Sequence, residues 1–252
     1  MNDLVKLSVF DNLPNGCREV DGECERHGAS TALLHARFGP KDWFCGECAL
    51  DRVRAEDLAK REGERVAHLN RIACLPSRYA GVQFEAKTLE QKRARATVRA
   101  FKNSLAKECK WAVLTLVGNT GTGKTLLACE MAQALIDSAS MSVRYCTANQ
   151  MIAEVQAAYS QEGKSEEGEV LRFTRYDLLI VDEIDAIRSS ENAVLLLTEV
   201  INRRYNSQRP VVVISNQPLE KLAKFVGDRV FSRLQENALL CAHDWADRRT
   251  QP

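Results

Sequence analysis

No stretch of this 252-residue sequence strings together the roughly 18 apolar residues that a membrane-spanning helix needs. Residues 1–16 lack the positive start and apolar core of a secretory signal. Together the two absences predict a cytoplasmic protein with no membrane partner. A charge imbalance is missing as well. With a formal net charge of +1, the chain as a whole is not marked as a nucleic-acid binder, although local patches can differ. There is no internal repeat. An even, paired set of cysteines is also absent: nine cysteines in a reducing compartment do not make a disulfide framework. Cys74, Cys109, Cys129, Cys146 and Cys241 are scattered and fit the role of small buried hydrophobes. Cys17, Cys24, Cys45 and Cys48 are clustered and need another account.

The apolar and charged fractions, 45% and 27%, are those of an ordinary globular protein. The length suits one medium domain with a small appendage, or two small domains. Residues 1–75 are rich in Cys, His and charge with little strand-like pattern, and 51–71 reads as a polar helix or connector. Pro76 marks a break. The expected organisation is an N-terminal module over 1–75 and a main domain over 76–252. Residues 89–110 carry an amphipathic helical pattern, with Ala94, Val98, Phe101 and Leu105 on one face and Lys92, Arg95, Arg99 and Lys102 on another. From residue 112, strand-like runs at 112–117, 142–146, 178–182 and 211–215 alternate with helical patterns at 125–138, 148–160, 191–206 and 218–225. The alternation predicts an α/β fold with a parallel sheet between helices. Residues 161–169 read as a polar loop.

Gly118, Asn119, Thr120, Gly121, Thr122, Gly123, Lys124 and Thr125 spell G-x-x-x-x-G-K-T between a strand-like run and a helical run opened by Leu126. That context makes a phosphate-binding loop. Glycines let backbone N–H groups wrap the phosphates, Lys124 reaches the outer ones, the Thr125 hydroxyl holds Mg2+, and the helix N-terminus adds its dipole. Phosphoryl transfer further needs a metal held beside the phosphates and a group that orients water. Asp182, at the end of an apolar strand, suits the metal shell, and Glu183, one residue on, suits the water. Asn216 ends the next strand and can hydrogen-bond the water or the outer phosphate. Arg229 and Arg233 share a helical face at i, i+4. Either can stabilise charge at the site of a neighbouring subunit.

Cys24-Glu25-Arg26-His27 and Cys45-Gly46-Glu47-Cys48 form a C-x2-H…C-x2-C set. Each half places two ligands on a tight turn, as tetrahedral Zn2+ requires. Cys17 is a possible substitute ligand without a partner at that spacing. A segment this small has too little core to fold unaided, which favours a metal staple.

In order, the phosphate loop, Val181-Asp182-Glu183-Ile184, Ser215-Asn216, Gly227-Asp228-Arg229 with Arg233, and Trp245 with Arg249 resemble the AAA+ ATPase domain of DnaC-type replicative helicase loaders and the closely similar IstB-like ATPases. The resemblance covers about residues 75–250 and includes Leu75-Pro76-Ser77-Arg78-Tyr79 at the domain entry. It implies an ATPase in which Thr125 and Asp182 bind Mg2+ and Glu183 is the catalytic carboxylate. It also implies Asn216 as sensor 1, Arg233 or Arg229 as the finger in trans, and Arg249 (or Arg248) as the sensor in cis. Because the sequence stops soon after Trp245, a full C-terminal helical lid is not expected. Asp185 and Leu126 stand where Gly and His are frequent, and neither touches a catalytic role. The zinc module makes the chain look more like phage- and prophage-type loaders. The implied partners are a hexameric DnaB-type helicase, single-stranded DNA, and further copies of the chain joined through the ATP sites.

In such loaders the segment corresponding to 148–173 contacts single-stranded DNA, and Tyr159 falls where they place an aromatic. Base stacking on an aromatic is worth roughly 1–3 kcal/mol, but Met151, Val155 and Tyr159 also share a helical face that a core would use. Lys164 and Arg172 are weaker phosphate contacts. The basic face of 92–102 is a second DNA surface or a solvated one. A transposition ATPase acting on double-stranded DNA with a transposase is the alternative function. A nucleotide-switched adaptor that scarcely hydrolyses ATP is a third, against which Glu183, Asn216 and Arg233 argue.

Overall fold

The computed structural model describes residues 17–35, 44–107, 110–158, 161, 163–187 and 191–247. The chain divides into two compact units, residues 1–64 and 65–252. Among the described residues no helix is long and apolar enough to cross a membrane.

The first unit holds strands where the sequence showed little strand pattern. β1 (Cys17–Cys24) and β2 (Gly28–His35) form an antiparallel hairpin, with Cys24 opposite Gly28 at the turn and Cys17 opposite His35 at the far end. Gly28 takes φ 70°, a value that only a residue without Cβ adopts freely. The short β3 (Phe44–Cys45) pairs with β2 and runs into helix α1 (Gly46–Ala73).

In the second unit α2 (Leu89–Lys107) precedes β4 (Val113–Gly118) and α3 (Lys124–Ala139). Then come β5 (Val143–Thr147), α4 (Ala148–Ala157), α5 (Glu166–Arg175) and β6 (Leu178–Asp182). The unit continues through α6 (Glu191–Asn206), β7 (Val211–Ser215), α7 (Leu219–Val226), α8 (Asp228–Gln235) and β8 (Ala238–His243). The five strands are parallel in the order β5-β6-β7-β4-β8. Successive residues of a strand face opposite sides. Leu114, Leu116, Leu178, Ile180, Val212 and Ile214 therefore bury against α2 and α3. Val113, Leu179, Val181, Val211 and Val213 bury against α4 to α8. Covered on both sides, the inner strands need continuous rather than alternating apolar sequence, which is what 178–182 and 211–215 supply.

Two elements differ from the sequence-based expectation. The polar stretch expected as a loop over 161–169 contains the start of α5. Ser165 caps it by accepting from the Gly168 N–H at 3.0 Å, and three acidic residues fill its first turn, where the helix dipole favours them. β8 was not expected. Its edge position leaves Leu239 and Leu240 exposed, so burial does not impose a readable pattern on it. Arg204 is fully buried, and its guanidinium donates to the carbonyls of Phe173 (2.8 Å), Tyr176 (2.9 Å) and Pro210 (2.6 Å). It ties the end of α5 to the entries of β6 and β7, which fixes the two strands whose far ends carry the chemistry.

Candidate functional site

β4, β6 and β7 end side by side, and their ends carry the residues singled out for phosphate chemistry. After Gly118 the chain turns through Gly121 (φ 77°) and Gly123 (φ 92°) into α3. Gly118 and Gly121 have no space for a Cβ: at 118 it would meet the His243 main chain, and at 121 the Asp247 carboxylate. Lys124 is buried, and its Nζ donates to the carbonyls of Gly118 and Asn119 at 2.7 Å each. The first-turn N–H groups of a helix lack intrahelical acceptors. Those at the head of α3, with the Lys124 ammonium, make a donor set that fits a phosphate chain.

Across from the loop, the Thr125 hydroxyl donates to Asp182 Oδ2 at 2.8 Å, the Tyr145 hydroxyl donates to the same oxygen at 2.8 Å, and the Glu183 N–H donates to Oδ1 at 2.7 Å. Asp182 is 4% exposed. A hydroxyl and a carboxylate, both oxygen ligands, suit Mg2+. Burial and the Asp182 charge hold the Tyr145 phenol well above its ordinary range, so it remains a donor. Glu183 is exposed and takes φ 52°. Left-handed backbone is uncommon for a non-glycine residue and clusters at functional sites. The Asn216 N–H donates to Asp185 Oδ1 at 3.0 Å. Asp185, a departure from the family pattern, thus fastens the tip of β7 to the turn after Glu183.

Beneath the loop, His243 is fully buried, 4.5 Å from the Trp245 ring by centroids, with Nε2 3.4 Å from Cys241 Sγ. Burial, helped by the Lys124 cation, pushes its pKa down to about 4. Trp245 Nε1 donates to the Thr122 carbonyl at 3.0 Å. Of the two arginines on α8, Arg229 is exposed. Arg233 lies over the Tyr205 ring at 5.1 Å with a buried Nη1 that has no hydrogen-bond partner among the described residues.

The structure separates the other candidates from this site or does not describe them. Tyr159, Arg248, Arg249 and Cys109 lie outside the described residues. Met151 and Val155 are core. Lys164 is exposed, and the Arg172 guanidinium is held by Glu154 and Glu169 and stacked 4.5 Å from the Phe173 ring. Lys92, Arg95, Arg99 and Lys102 line a groove of about 680 Å3 that is also lined by α3 residues, and Arg95 pairs there with Glu130 at 2.9 Å. Cys129 and Cys146 are buried, and burial pushes both thiols up to about 12. Cys241 is buried as well, whereas Cys74 is exposed.

In the first unit, the ligand atoms of Cys24, His27, Cys45 and Cys48 all lie within 4.8 Å of one another. Cys24 Sγ is 3.6 Å from Cys48 Sγ, and His27 Nδ1 is 3.8, 3.7 and 3.3 Å from the sulfurs of Cys24, Cys45 and Cys48. Tetrahedral Zn–S and Zn–N bonds place ligand atoms roughly 3.5–3.8 Å apart, so the set fits zinc. His27 Nε2 donates to Asp51 Oδ2 at 3.1 Å, which leaves Nδ1 as the lone-pair nitrogen facing the thiols. Asp51 was not singled out from the sequence. The signal was its place one helical turn after Cys48. Cys17 starts a strand whose other end is Cys24, about 24 Å along the chain, so its backbone is far from the cluster.

The profile of the IstB-like ATP binding proteins matches residues 41–240. The replicative helicase loader DnaC of Escherichia coli (strain K12) is 27% identical over 200 residues, covering 79% of this chain and 77% of that protein. The ATP-binding protein named for insertion sequence IS5376 of Geobacillus stearothermophilus is 29% identical over 127 residues, half of this chain (50%) and 49% of its own. Among solved structures, a crystal structure of the DnaC helicase loader superposes with a TM-score of 0.60 at 24% identity, covering 67% of this chain and 100% of that one. That likeness shows the fold, and the family match identifies the domain as a P-loop ATPase of the ATP-binding kind that the family's description names. With a matched profile spanning most of its length, the chain belongs to the family of IstB-like ATP binding proteins.

Proposed function

We propose that this protein loads a hexameric replicative helicase onto single-stranded DNA in an ATP-dependent manner. The observation that carries the reading is the similarity to a replicative helicase loader along 79% of the chain. It extends well beyond the phosphate loop.

In this reading the loop 118–125 with Leu126 binds ATP. Lys124 leaves the loop carbonyls to meet the outer phosphates, and Thr125 with Asp182 would hold Mg2+, which supplies charge neutralisation at the phosphates. Glu183, held outward by its left-handed backbone, orients and deprotonates the attacking water. Asn216 fixes the water or the phosphate from the tip of β7. Arg233 serves the site of a neighbouring copy, with Arg229 on the same face as the alternative, and Arg249 senses nucleotide in cis. Copies joined head to tail in this way form rings or open spirals. Tyr159 and Lys164 contact single-stranded DNA. Cys24, His27, Cys45 and Cys48 hold one Zn2+, and the N-terminal module over 1–75 grips the helicase, leaving 76–252 as the ATPase domain.

The test is the mass, by light scattering after size exclusion, of the protein mixed with a hexameric replicative helicase and ATP. A co-complex lost on deletion of 1–75 supports the loader. ATP-dependent assembly on double-stranded DNA with no co-complex would instead favour the transposition ATPase, a reading supported by the family profile itself.

A further inference from the structure

We propose that Tyr145 is a positioning residue for ATP hydrolysis, holding Asp182 in the orientation in which it and Thr125 serve Mg2+. The proposal rests on the reading of Thr125 and Asp182 as the metal pair. Tyr145 is on β5, next to β6, with Tyr145 opposite Ile180 and Thr147 opposite Asp182. Residues two apart on a strand share a face, so Ile180 and Asp182 look towards α3, and Tyr145 packs in the same cluster as Ile180. Two strand residues span about 6.6 Å, which is the reach of a phenol from its own backbone. The hydroxyl therefore arrives at Asp182 Oδ2, where it donates at 2.8 Å.

That oxygen takes a second hydroxyl, from Thr125. The two donors differ in what else they must do. Thr125 heads α3 beside the phosphate loop and has to offer its oxygen to a metal as well. Tyr145 is 8% exposed, and among the described residues its hydroxyl makes no other hydrogen bond, so it can hold the carboxylate whatever Thr125 does. With the Glu183 N–H on Oδ1, three donors fix Asp182. Loss of a group that orients a metal-bound carboxylate typically costs about 10–100-fold in metal affinity or activity.

The test is Tyr145→Phe in the full-length chain, which keeps the ring and removes the hydroxyl. Two dependences on Mg2+ are measured: the hydrolysis rate at saturating ATP, and the binding of a fluorescent ATP analogue, the latter also in EDTA. The expected result is that half-maximal Mg2+ rises by about tenfold in both, with unchanged affinity in EDTA and an unchanged melting temperature. An unchanged Mg2+ requirement overturns the proposal. Tyr145→Leu is the second variant. If it raises the requirement while Tyr145→Phe does not, the ring and not the hydroxyl matters, and the proposal again fails. Asp182→Asn separates the two layers. If it leaves the Mg2+ dependence intact, the metal pair itself is misassigned. If it abolishes that dependence and Tyr145→Phe is silent, only the role of Tyr145 is lost.

Discussion

The Thr125 hydroxyl and the Asp182 carboxylate meet at 2.8 Å, joining the head of α3 to the tip of β6. Changing either side chain without altering its shape leaves the surrounding packing in place. Thr125→Val and Asp182→Asn should therefore melt close to the wild type and fail in Mg2+-dependent hydrolysis. Parallel thermal melts and ATP turnover check this.

Glu183→Gln separates binding from chemistry. The side chain is exposed and its removal opens no cavity. Nucleotide affinity should hold, while turnover falls by roughly 10²–10⁴, the usual contribution of a positioned base. Retained turnover would remove Glu183 from the role of base.

Arg233 is expected to act on a neighbour. Arg233→Ala should lose most of its turnover, since such a residue contributes about 10³–10⁵. Subunits carrying Arg233→Ala mixed with subunits carrying Lys124→Ala should regain part of it, because one partner supplies the nucleotide site and the other the arginine. If mixing restores nothing and Arg229→Ala behaves in this way, the finger is Arg229.

Much of this was legible in the sequence, and the limits have physical causes. Inner strands of a parallel sheet are apolar on both faces, so 178–182 and 211–215 appear as uninterrupted runs bounded by polar residues. The glycines of the phosphate loop are dictated by backbone angles, so the loop is read from residue type alone. β8 escaped because an edge strand is buried on one side only and is fixed by pairing with β4. The β1–β2 hairpin escaped because residues 17–35 show no apolar alternation from which strands could be read. Tyr145 and Asp185 make their contacts with residues distant in the chain, and no spacing rule displays those.

Asp51 gives a prediction for the N-terminal unit. Purified protein should carry one Zn2+, and a chelator should remove it with loss of the hairpin's strand signal. Asp51→Asn should weaken zinc by about 10–100-fold, measured by competition with a chromophoric chelator. Protein without stoichiometric zinc would refute the site.

His243 predicts a pH dependence. Its folded pKa, about 4, lies below the ordinary 6.5, so between those values the unfolded chain binds the extra proton. Stability is then complete above about pH 6.5 and declines as pH falls towards 4. The loss from this residue is of order 3 kcal/mol. Denaturant titrations of wild type and His243→Gln should show a shallower acid decline in the variant. Equal slopes would mean that the imidazole titrates freely in the fold.

The reactive groups sit on strand ends held in step by the backbone ladder, Val117 opposite Ser215 and Gly118 opposite His243, with Thr147 opposite Asp182. A slip of one residue in any of these strands would move its tip by about 3.3 Å and turn its side chains to the other face. Chemistry and alignment are thus the same variable. A ligand that spanned the tips of β4 and β6 would bind only the correctly aligned sheet and would stabilise it by an amount that grows with its concentration.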